Sequence, residues 1–102
     1  MGIEVRFVDP ADPNNFAEAT DENTRAYYGE VLPNPSFEVF PISEVAEIGR
    51  PLGIPLIVDN TAAPVICKPF DHGAAVLIHS TTKFIGGHGT SIGGIIVDSG
   101  NF

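Results

Sequence analysis

A single lysine, Lys83, stands where an apolar stretch gives way to hydroxyls and glycines. Residues 77–79 are Leu, Ile and His, and residues 80–90 are rich in serine, threonine and glycine. Such a change is typical of a strand that ends at a functional surface. An amine at the end of a buried strand is poorly solvated, so its charged form is disfavoured and its nitrogen can act as a nucleophile towards an aldehyde. Taken alone, the stretch fits a surface lysine after a strand better.

An aspartate, Asp59, ends a second apolar run. Residues 54–58 lack the alternation of a half-exposed strand, so they predict a strand covered on both faces. Two such strands side by side in a parallel sheet would bring Asp59 and Lys83 to the edge where open α/β sheets bind ligands. There a carboxylate can pair with the protonated pyridine nitrogen of pyridoxal 5′-phosphate (PLP), while the lysine forms a Schiff base with its aldehyde. The competing interpretation is an aspartate that only caps the following turn.

Length and charge narrow the possible functions. The chain has 102 residues, a net charge of −8 and no cluster of lysine and arginine, which argues against nucleic acids and anionic membranes as partners. No stretch resembles a signal peptide or approaches the roughly 18 apolar residues of a membrane span, so a soluble cytoplasmic protein is expected. One small domain fits the length. The apolar strands nevertheless need more covering helices than the chain supplies, which predicts a part of a larger α/β domain.

The other reactive side chains indicate neither a metal site nor a nucleotide site. The single cysteine, Cys67, has no disulfide partner and is expected to be an apolar filler. His88 has no second ligand at metal spacing, so no metal is predicted. The glycines at residues 86–89 do not follow the Walker A order and are better explained by a backbone that passes close to a cofactor or a neighbouring chain.

The predicted elements alternate between strands and short helices. Strands are predicted at residues 2–9, 24–32, 55–60, 76–79 and 95–98, and helices at residues 11–19 and 44–48. Ser43 is the predicted N-cap of the second helix. Residues 61–70 are expected to be irregular or to form a single turn packed on the sheet. Asn34 lies between two prolines after a strand, where the sequence alone favours a simple turn residue.

Five blocks in order carry a family resemblance. They are Asn-Pro at 34–35, Val-Asp-Asn-Thr at 58–61, His-Ser-Thr-Thr-Lys-Phe at 79–84, Gly-Gly-His-Gly at 86–89 and Gly-Gly-Ile-Ile-Val-Asp-Ser-Gly at 93–100. The chain thereby resembles the Cys/Met-metabolism family of PLP-dependent enzymes, and within it most closely the O-acetylhomoserine sulfhydrylases. The blocks span most of residues 24–102, and five in order are far more specific than a Ser-x-Thr-Lys pattern alone.

The resemblance implies a role for each matching residue. Lys83 would hold PLP as a Schiff base, and Asp59 would pair with its pyridine nitrogen. Ser80 and Thr82 would bind the phosphate, and Asn34 would lie near the ring hydroxyl. The implied fold is α/β: residues 1–102 form the central part of the large PLP-binding domain of a fold-type I, aspartate aminotransferase-like enzyme, with a mostly parallel sheet and flanking helices.

The implied activity is γ-replacement, which makes homocysteine from O-acetylhomoserine and sulfide in a cytoplasmic homo-oligomer, a tetramer by resemblance. Departures from the family pattern at residues 61–64 and at Ala75 lie outside the reactive set. Family members are much longer and bring further cofactor and substrate ligands, so the 102 residues alone are expected to be inactive.

Two alternatives stay open. One is a lyase or synthase of the same family (cystathionine γ-synthase, cystathionine γ-lyase or methionine γ-lyase), which the 86–90 block disfavours, and the other is a non-catalytic α/β fragment.

Overall fold

Four short strands form one sheet. The computed structural model describes residues 2–102. Its strands are β1 (Tyr27–Glu30), β2 (Leu56–Asp59), β3 (Val76–Ser80) and β4 (Gly94–Asp98). Its helices are α1 (Asn14–Glu18) and α2 (Ile42–Gly49), with 3₁₀ turns at Arg50–Leu52 and Pro69–His72 and a helical turn at Thr81–Ile85. The strands lie side by side in the order β1-β2-β3-β4.

Strand direction and register decide which residues share an edge. The first three strands run parallel, and β4 pairs antiparallel with β3. Asp59 of β2 is in register with Glu30 on one side and with Ile78 on the other. Because parallel strands end at the same edge, the polar residues that follow them collect there. The predicted α/β fold with a mostly parallel sheet and flanking helices is confirmed.

One face of the sheet carries the hydrophobic core. Leu56 and Val58 of β2 point into it and are almost completely buried, as is Val45 of the facing helix α2. Phe40 lies against Gly29 of β1, where any added Cβ would overlap the phenyl ring. The period of two along each strand therefore separates a packed face from an opposite one.

The opposite face of the sheet is largely open. Tyr28 is exposed, and every residue of β4 is exposed as well, with Ile96 at 73%. Ile57 and Ile78 between them are only half-buried. Contiguous exposed apolar surface of this kind marks a place where another element or chain packs. This agrees with the expectation that the strands need more cover than the chain supplies.

The strand predicted at residues 2–9 is wrong. This segment has no strand partner among residues 2–102, and its apolar side chains other than Val8 are exposed, with Phe7 at 94%. It is held instead by Arg6, whose guanidinium donates to the carbonyl oxygen of Ala19 at 3.1 Å and forms an ion pair with Asp21 at 2.7 Å. Alternating apolar residues predict a strand only where a neighbouring strand offers both a ladder and a face to cover.

The predicted N-cap at Ser43 is also wrong. Helix α2 begins at Ile42, with Pro41 before it, and the Val45 N–H donates to the Pro41 carbonyl oxygen at 3.1 Å. The Ser43 hydroxyl lies 3.3 Å from Nδ1 of His72, so it joins α2 to the turn that precedes β3. A tertiary hydrogen bond thus replaces the local cap that the sequence predicted.

The remaining elements agree with their predictions at slightly different lengths. The last three predicted strands correspond to β2, β3 and β4, while β1 and α1 are shorter than predicted. Residues 61–70 are irregular except where the turn Pro69–His72 begins. Among residues 2–102, no helix has the length and apolar character needed to span a bilayer.

The contact between Gly29 and Phe40 predicts a sharp sensitivity to size. Gly29→Ala should destabilise the protein by about 1–3 kcal/mol, because the new methyl group must displace a buried aromatic ring. The thermal unfolding midpoint is the measurement. Gly94→Ala is the matched control, since its Cβ would meet only the His79 carbonyl oxygen at an ordinary 3.5 Å. Equal midpoints for the two variants would contradict this packing.

Candidate active site

The carboxyl edge of the three parallel strands gathers the predicted site residues. Asp59 ends β2, Ser80 ends β3, and Asn34 lies in the turn that follows β1. The helical turn with Lys83 starts directly after Ser80. In register, Asp59 aligns with Ile78, so Ser80 stands two residues further along the neighbouring strand and on the same face. A carboxylate and a hydroxyl thus share one face at the ligand-binding edge of the sheet.

The Asp59 carboxylate is oriented by two hydrogen bonds. Oδ1 accepts the Thr61 N–H at 2.9 Å, and Oδ2 accepts the Tyr28 hydroxyl at a longer 3.4 Å. Partial burial raises the pKa of Tyr28, and the negative charges of Asp59 and Glu30 raise it further, so this hydroxyl stays a donor at neutral pH. The carboxylate is half-buried and fixed in direction. The capping of the following turn that the sequence left open is therefore real, and it orients Asp59.

Ser80 is held through its backbone. Its N–H donates to Thr61 Oγ1 at 2.8 Å. Thr61, whose own N–H donates to Asp59, thus also holds the end of β3 in place. Thr61 therefore connects the two strand ends that carry the candidate carboxylate and the candidate hydroxyl.

Thr82 serves the loop that leads to β4. Its hydroxyl donates to the Gly93 carbonyl oxygen at 3.2 Å and accepts the Gly93 N–H at 3.0 Å. The Thr81 N–H donates to the same carbonyl oxygen at 3.0 Å. The hydroxyl proton of Thr82 is thus donated to Gly93 within the loop. The phosphate contact that the resemblance implies for Thr82 stays a prediction. A rotation of its side chain would be needed for that contact.

Lys83 lies in the interrupted helical turn. Its φ of −92° and ψ of −118° are non-helical, while the N–H groups of Gly86 and Gly87 donate to the carbonyl oxygens of Thr81 and Lys83, both at 2.9 Å. The lysine side chain is exposed. The expectation of a poorly solvated amine is therefore wrong for residues 2–102, because the loop projects Lys83 beyond the end of β3 instead of burying it. No ion pair joins it to Asp59 within this range.

Asn34 and His88 are exposed at the same edge. Asn34 precedes Pro35 through a cis peptide bond, in the turn after β1. His88 lies in the glycine-containing loop between Lys83 and β4. The role near a ring hydroxyl that the resemblance implies for Asn34 stays a prediction, and no group of metal-ligating side chains occurs among residues 2–102.

These residues fit a cofactor that carries a basic ring nitrogen, an aldehyde and an anionic group. Asp59 offers an oriented carboxylate to the nitrogen, and the exposed Lys83 offers an amine to the aldehyde. Ser80 adds a hydroxyl on the same face as the carboxylate. A carboxylate, an amine and a hydroxyl at one edge of the sheet are side chains that can hold PLP.

The family model for Cys/Met metabolism PLP-dependent enzymes matches residues 1–102. The chain belongs to this family. It is 50% identical to the O-acetyl-L-homoserine sulfhydrylase of Leptospira meyeri and 49% identical to the homocysteine synthase of Schizosaccharomyces pombe. Both comparisons cover 100% of the chain but only 23% and 24% of those proteins. The chain thus spans about a quarter of the length of the curated relatives it matches.

Two solved structures share the fold of this family member. A Campylobacter jejuni protein assigned as an O-acetylhomoserine (thiol)-lyase superposes with a TM-score of 0.91 at 37% identity, covering 95% of the chain and 24% of that protein. That structure contains N′-pyridoxyl-lysine-5′-monophosphate. The metB protein of Corynebacterium glutamicum superposes with a TM-score of 0.85 at 36% identity, over 89% of the chain and 24% of that protein.

Sequence reasoning missed three residues that shape the site of this PLP-dependent family member. Tyr28 stands within the predicted strand 24–32, and Thr61 and Gly93 stand within two of the resembling blocks, but neither that strand nor those blocks indicate the contacts that these residues make. For Thr61, its position two residues after a strand-end aspartate was an available signal of an Asx turn. The contacts of Tyr28 and Gly93 depend on the register between strands and on loop closure, which no local pattern contains.

Thr61 provides a prediction about how the site is held. Thr61→Val should leave the half-buried Ser80 N–H unpaired, at a cost of about 1–3 kcal/mol, and should lower both the thermal midpoint and the affinity for PLP. Thr61→Ser keeps the hydroxyl and is the matched control. Differential scanning fluorimetry and a PLP titration measure the two effects. A valine variant as stable and as tightly binding as the serine variant would refute this link.

Proposed function

We propose that the complete protein is a PLP-dependent O-acetylhomoserine sulfhydrylase that makes homocysteine. In this reaction the bond between the γ carbon and the acetyl oxygen breaks, acetate leaves, and sulfide forms the new carbon–sulfur bond. The observation that carries the proposal is the oriented Asp59 carboxylate, held at one sheet edge with Ser80 and followed by the Lys83 loop. The similarity to an O-acetyl-L-homoserine sulfhydrylase and a homocysteine synthase over the whole chain supports the choice of substrate.

The proposal treats these residues as the central segment of a PLP-binding domain. The chain spans about a quarter of its relatives, and the open face of its sheet exposes apolar residues that a further part of the polypeptide or a second subunit would cover. Family resemblance supports a cytoplasmic homotetramer, with the amino-acid substrate and sulfide as its small-molecule partners. The 102 residues alone are proposed to be inactive, because the substrate carboxylate finds no arginine at the described edge.

Asp59 and Lys83 divide the chemistry. Bound PLP supplies an electron sink for the bonds at the substrate α carbon. Asp59 holds a proton at the ring nitrogen, since a fixed carboxylate favours the charged form of its partner. Lys83 holds the cofactor through its amine, and once the substrate amine has replaced it, the freed amine acts as the base that removes the α proton and then the β proton.

Three further residues position the cofactor in this proposal. The hydroxyls of Ser80 and Thr82 hold the phosphate, Thr82 after its hydroxyl turns away from Gly93. Asn34 binds beside the ring hydroxyl from the turn after β1. Each is assigned from its place at the carboxyl edge and from the family resemblance.

A lyase or synthase of the same family is the second candidate. The fold does not decide against it, because the chain superposes on two differently named proteins, the O-acetylhomoserine (thiol)-lyase and metB, at a similar 37% and 36% identity. The same aspartate and lysine would serve either reaction, so a substrate panel separates the two. Homocysteine formed from O-acetylhomoserine and sulfide supports the sulfhydrylase. Turnover of cystathionine or methionine in its place supports the alternative, and no PLP binding at all supports a non-catalytic fragment.

Lys83→Ala provides the direct test of the amine. The complete protein with this change should lose the visible absorbance of lysine-bound PLP and should lose homocysteine formation, because no other amine reaches the edge of the sheet in this segment. Lys68→Ala is the matched control, as Lys68 is the other lysine of the chain and is also exposed. A Lys83→Ala protein that keeps both the absorbance and the turnover would overturn the assignment.

Asp59→Asn tests the carboxylate. The amide cannot stabilise a protonated ring nitrogen, so kcat should fall by roughly 10²-fold or more while the protein stays folded. Asp71→Asn, which changes an exposed aspartate in the turn before β3, is the matched control. Steady-state rates with O-acetylhomoserine and sulfide measure the effect. An Asp59→Asn enzyme as fast as the control would show that this carboxylate does not act on the cofactor.

A further inference from the structure

Two buried polar atoms face the core directly behind the candidate site. Within residues 2–102, Oδ1 of Asn60 and Nδ1 of His79 are buried and have no hydrogen-bond partner. Asn60 is only 2% exposed. A buried polar atom without a partner is costly, so each of these two atoms calls for an explanation.

The register places the two side chains next to each other. Asp59 pairs with Ile78, and the Asn60 N–H continues the ladder by donating to the Ile78 carbonyl oxygen at 2.9 Å. Asn60 is therefore the direct neighbour of His79 on the adjacent strand, and neighbouring strands lie about 4.8 Å apart. Because side chains alternate between faces, both residues point to the core side, opposite Asp59 and Ser80.

The chemistry of the pair is fixed from the Asn60 side. The amide nitrogen Nδ2 donates to the Cys67 carbonyl oxygen at 3.1 Å. A carbonyl oxygen only accepts, so the amide cannot be turned over, and Oδ1 is the atom left without a partner. Oδ1 needs a donor, and the imidazole Nδ1 is a donor only when it carries the ring proton.

We propose that His79 Nδ1–H donates to Asn60 Oδ1, and that this pair joins the ends of β2 and β3 from the core side and positions Asp59 and Ser80. The backbone register already sets the two residues side by side, so the strands need no shift for the bond to form. With its second hydrogen bond to Cys67, Asn60 then ties both strand ends to the irregular segment that follows β2. His79 and Asn60 act through Asp59 and Ser80, so they are positioning residues.

The effect of the pair on the cofactor rests on the proposed function, whereas the pair itself does not. A mispositioned strand end would change the direction of the Asp59 carboxylate and of the Ser80 hydroxyl. If the misdirected strand end thereby loses one net hydrogen bond to the cofactor, the affinity for PLP falls roughly two- to tenfold. A half-buried histidine with a purely space-filling role would change stability and leave that affinity unchanged.

The test combines a double-mutant cycle with a conservative replacement, all in the complete protein. The variants are His79→Ala, Asn60→Ala, the double variant, His79→Asn and His79→Gln. Asparagine keeps a nitrogen donor near the place of Nδ1, whereas glutamine moves it to the place of Nε2. Asn23→Ala is the matched control for Asn60→Ala, because Asn23 is an exposed asparagine in the turn before β1. The readouts are the thermal midpoint of the apo protein and the dissociation constant of PLP, measured well below that midpoint.

The expected result is non-additivity. The thermal midpoint of the double variant should be no lower than that of the less stable single variant. His79→Asn should restore the midpoint and the affinity for PLP, and His79→Gln should not. Additive midpoints, or an asparagine variant as impaired as the alanine variant, would overturn the pair. If the alanine variants do not fold, the comparison of His79→Asn with His79→Gln decides by itself.

The readouts also separate this inference from the proposed function. Coupled midpoints with an unchanged dissociation constant of PLP in every variant would overturn the positioning role. If the unmodified protein binds no PLP, the proposed function fails, while coupled midpoints in the apo protein would still support the pair.

Discussion

The parallel register of β1, β2 and β3 is the constraint on which the rest of the structure depends. It sets Glu30, Asp59 and Ile78 in line, so that the three strands end together and the residues after each of them meet at one edge. A shift of one residue in the pairing of β2 would turn Asp59 towards the core and Asn60 towards the open face. The candidate chemistry therefore depends on backbone pairing before it depends on any single side chain.

Side chains alternate between the two faces of the sheet, so neighbouring residues in each motif have different roles. Asp59 and Ser80 face the open side, where a ligand can reach them, whereas Asn60 and His79 face the packed side. Thr61 then joins the two strand ends, since its N–H binds Asp59 and its hydroxyl binds Ser80. A short motif can thus supply a reactive group and the support for that group within two or three residues.

Sequence patterns anticipated the strands best where their signal is local. β2 and β3 are short apolar runs bounded by turn residues, and both were predicted within a residue or two. The segment 2–9 alternates apolar with polar residues but has no neighbouring strand to pair with, so its prediction failed. The cap at Ser43 failed because His72, distant in sequence, takes its hydroxyl. Features that need a partner from another part of the chain lay beyond a local pattern.

The candidate site shows the same division. Asp59 and Lys83 are indicated by strand ends and residue types that are visible in the sequence, whereas the role of Ser80 comes from the family resemblance. Lys83 is exposed because a helical turn follows β3 and carries the lysine beyond the end of the strand. The residue types at the strand end do not predict that turn. The hydrogen bonds of Tyr28 and Thr82 depend on register and loop closure and became visible only in three dimensions.

In the proposed function Lys83 carries the cofactor, and peptide mapping identifies the lysine that does so. The complete protein is loaded with PLP, reduced with borohydride, digested, and analysed by mass spectrometry. The reduced pyridoxyl group is expected on the peptide that contains Lys83, with the peptide of Lys68 unmodified. A pyridoxyl group on Lys68 alone, or only on a lysine outside these 102 residues, would contradict it.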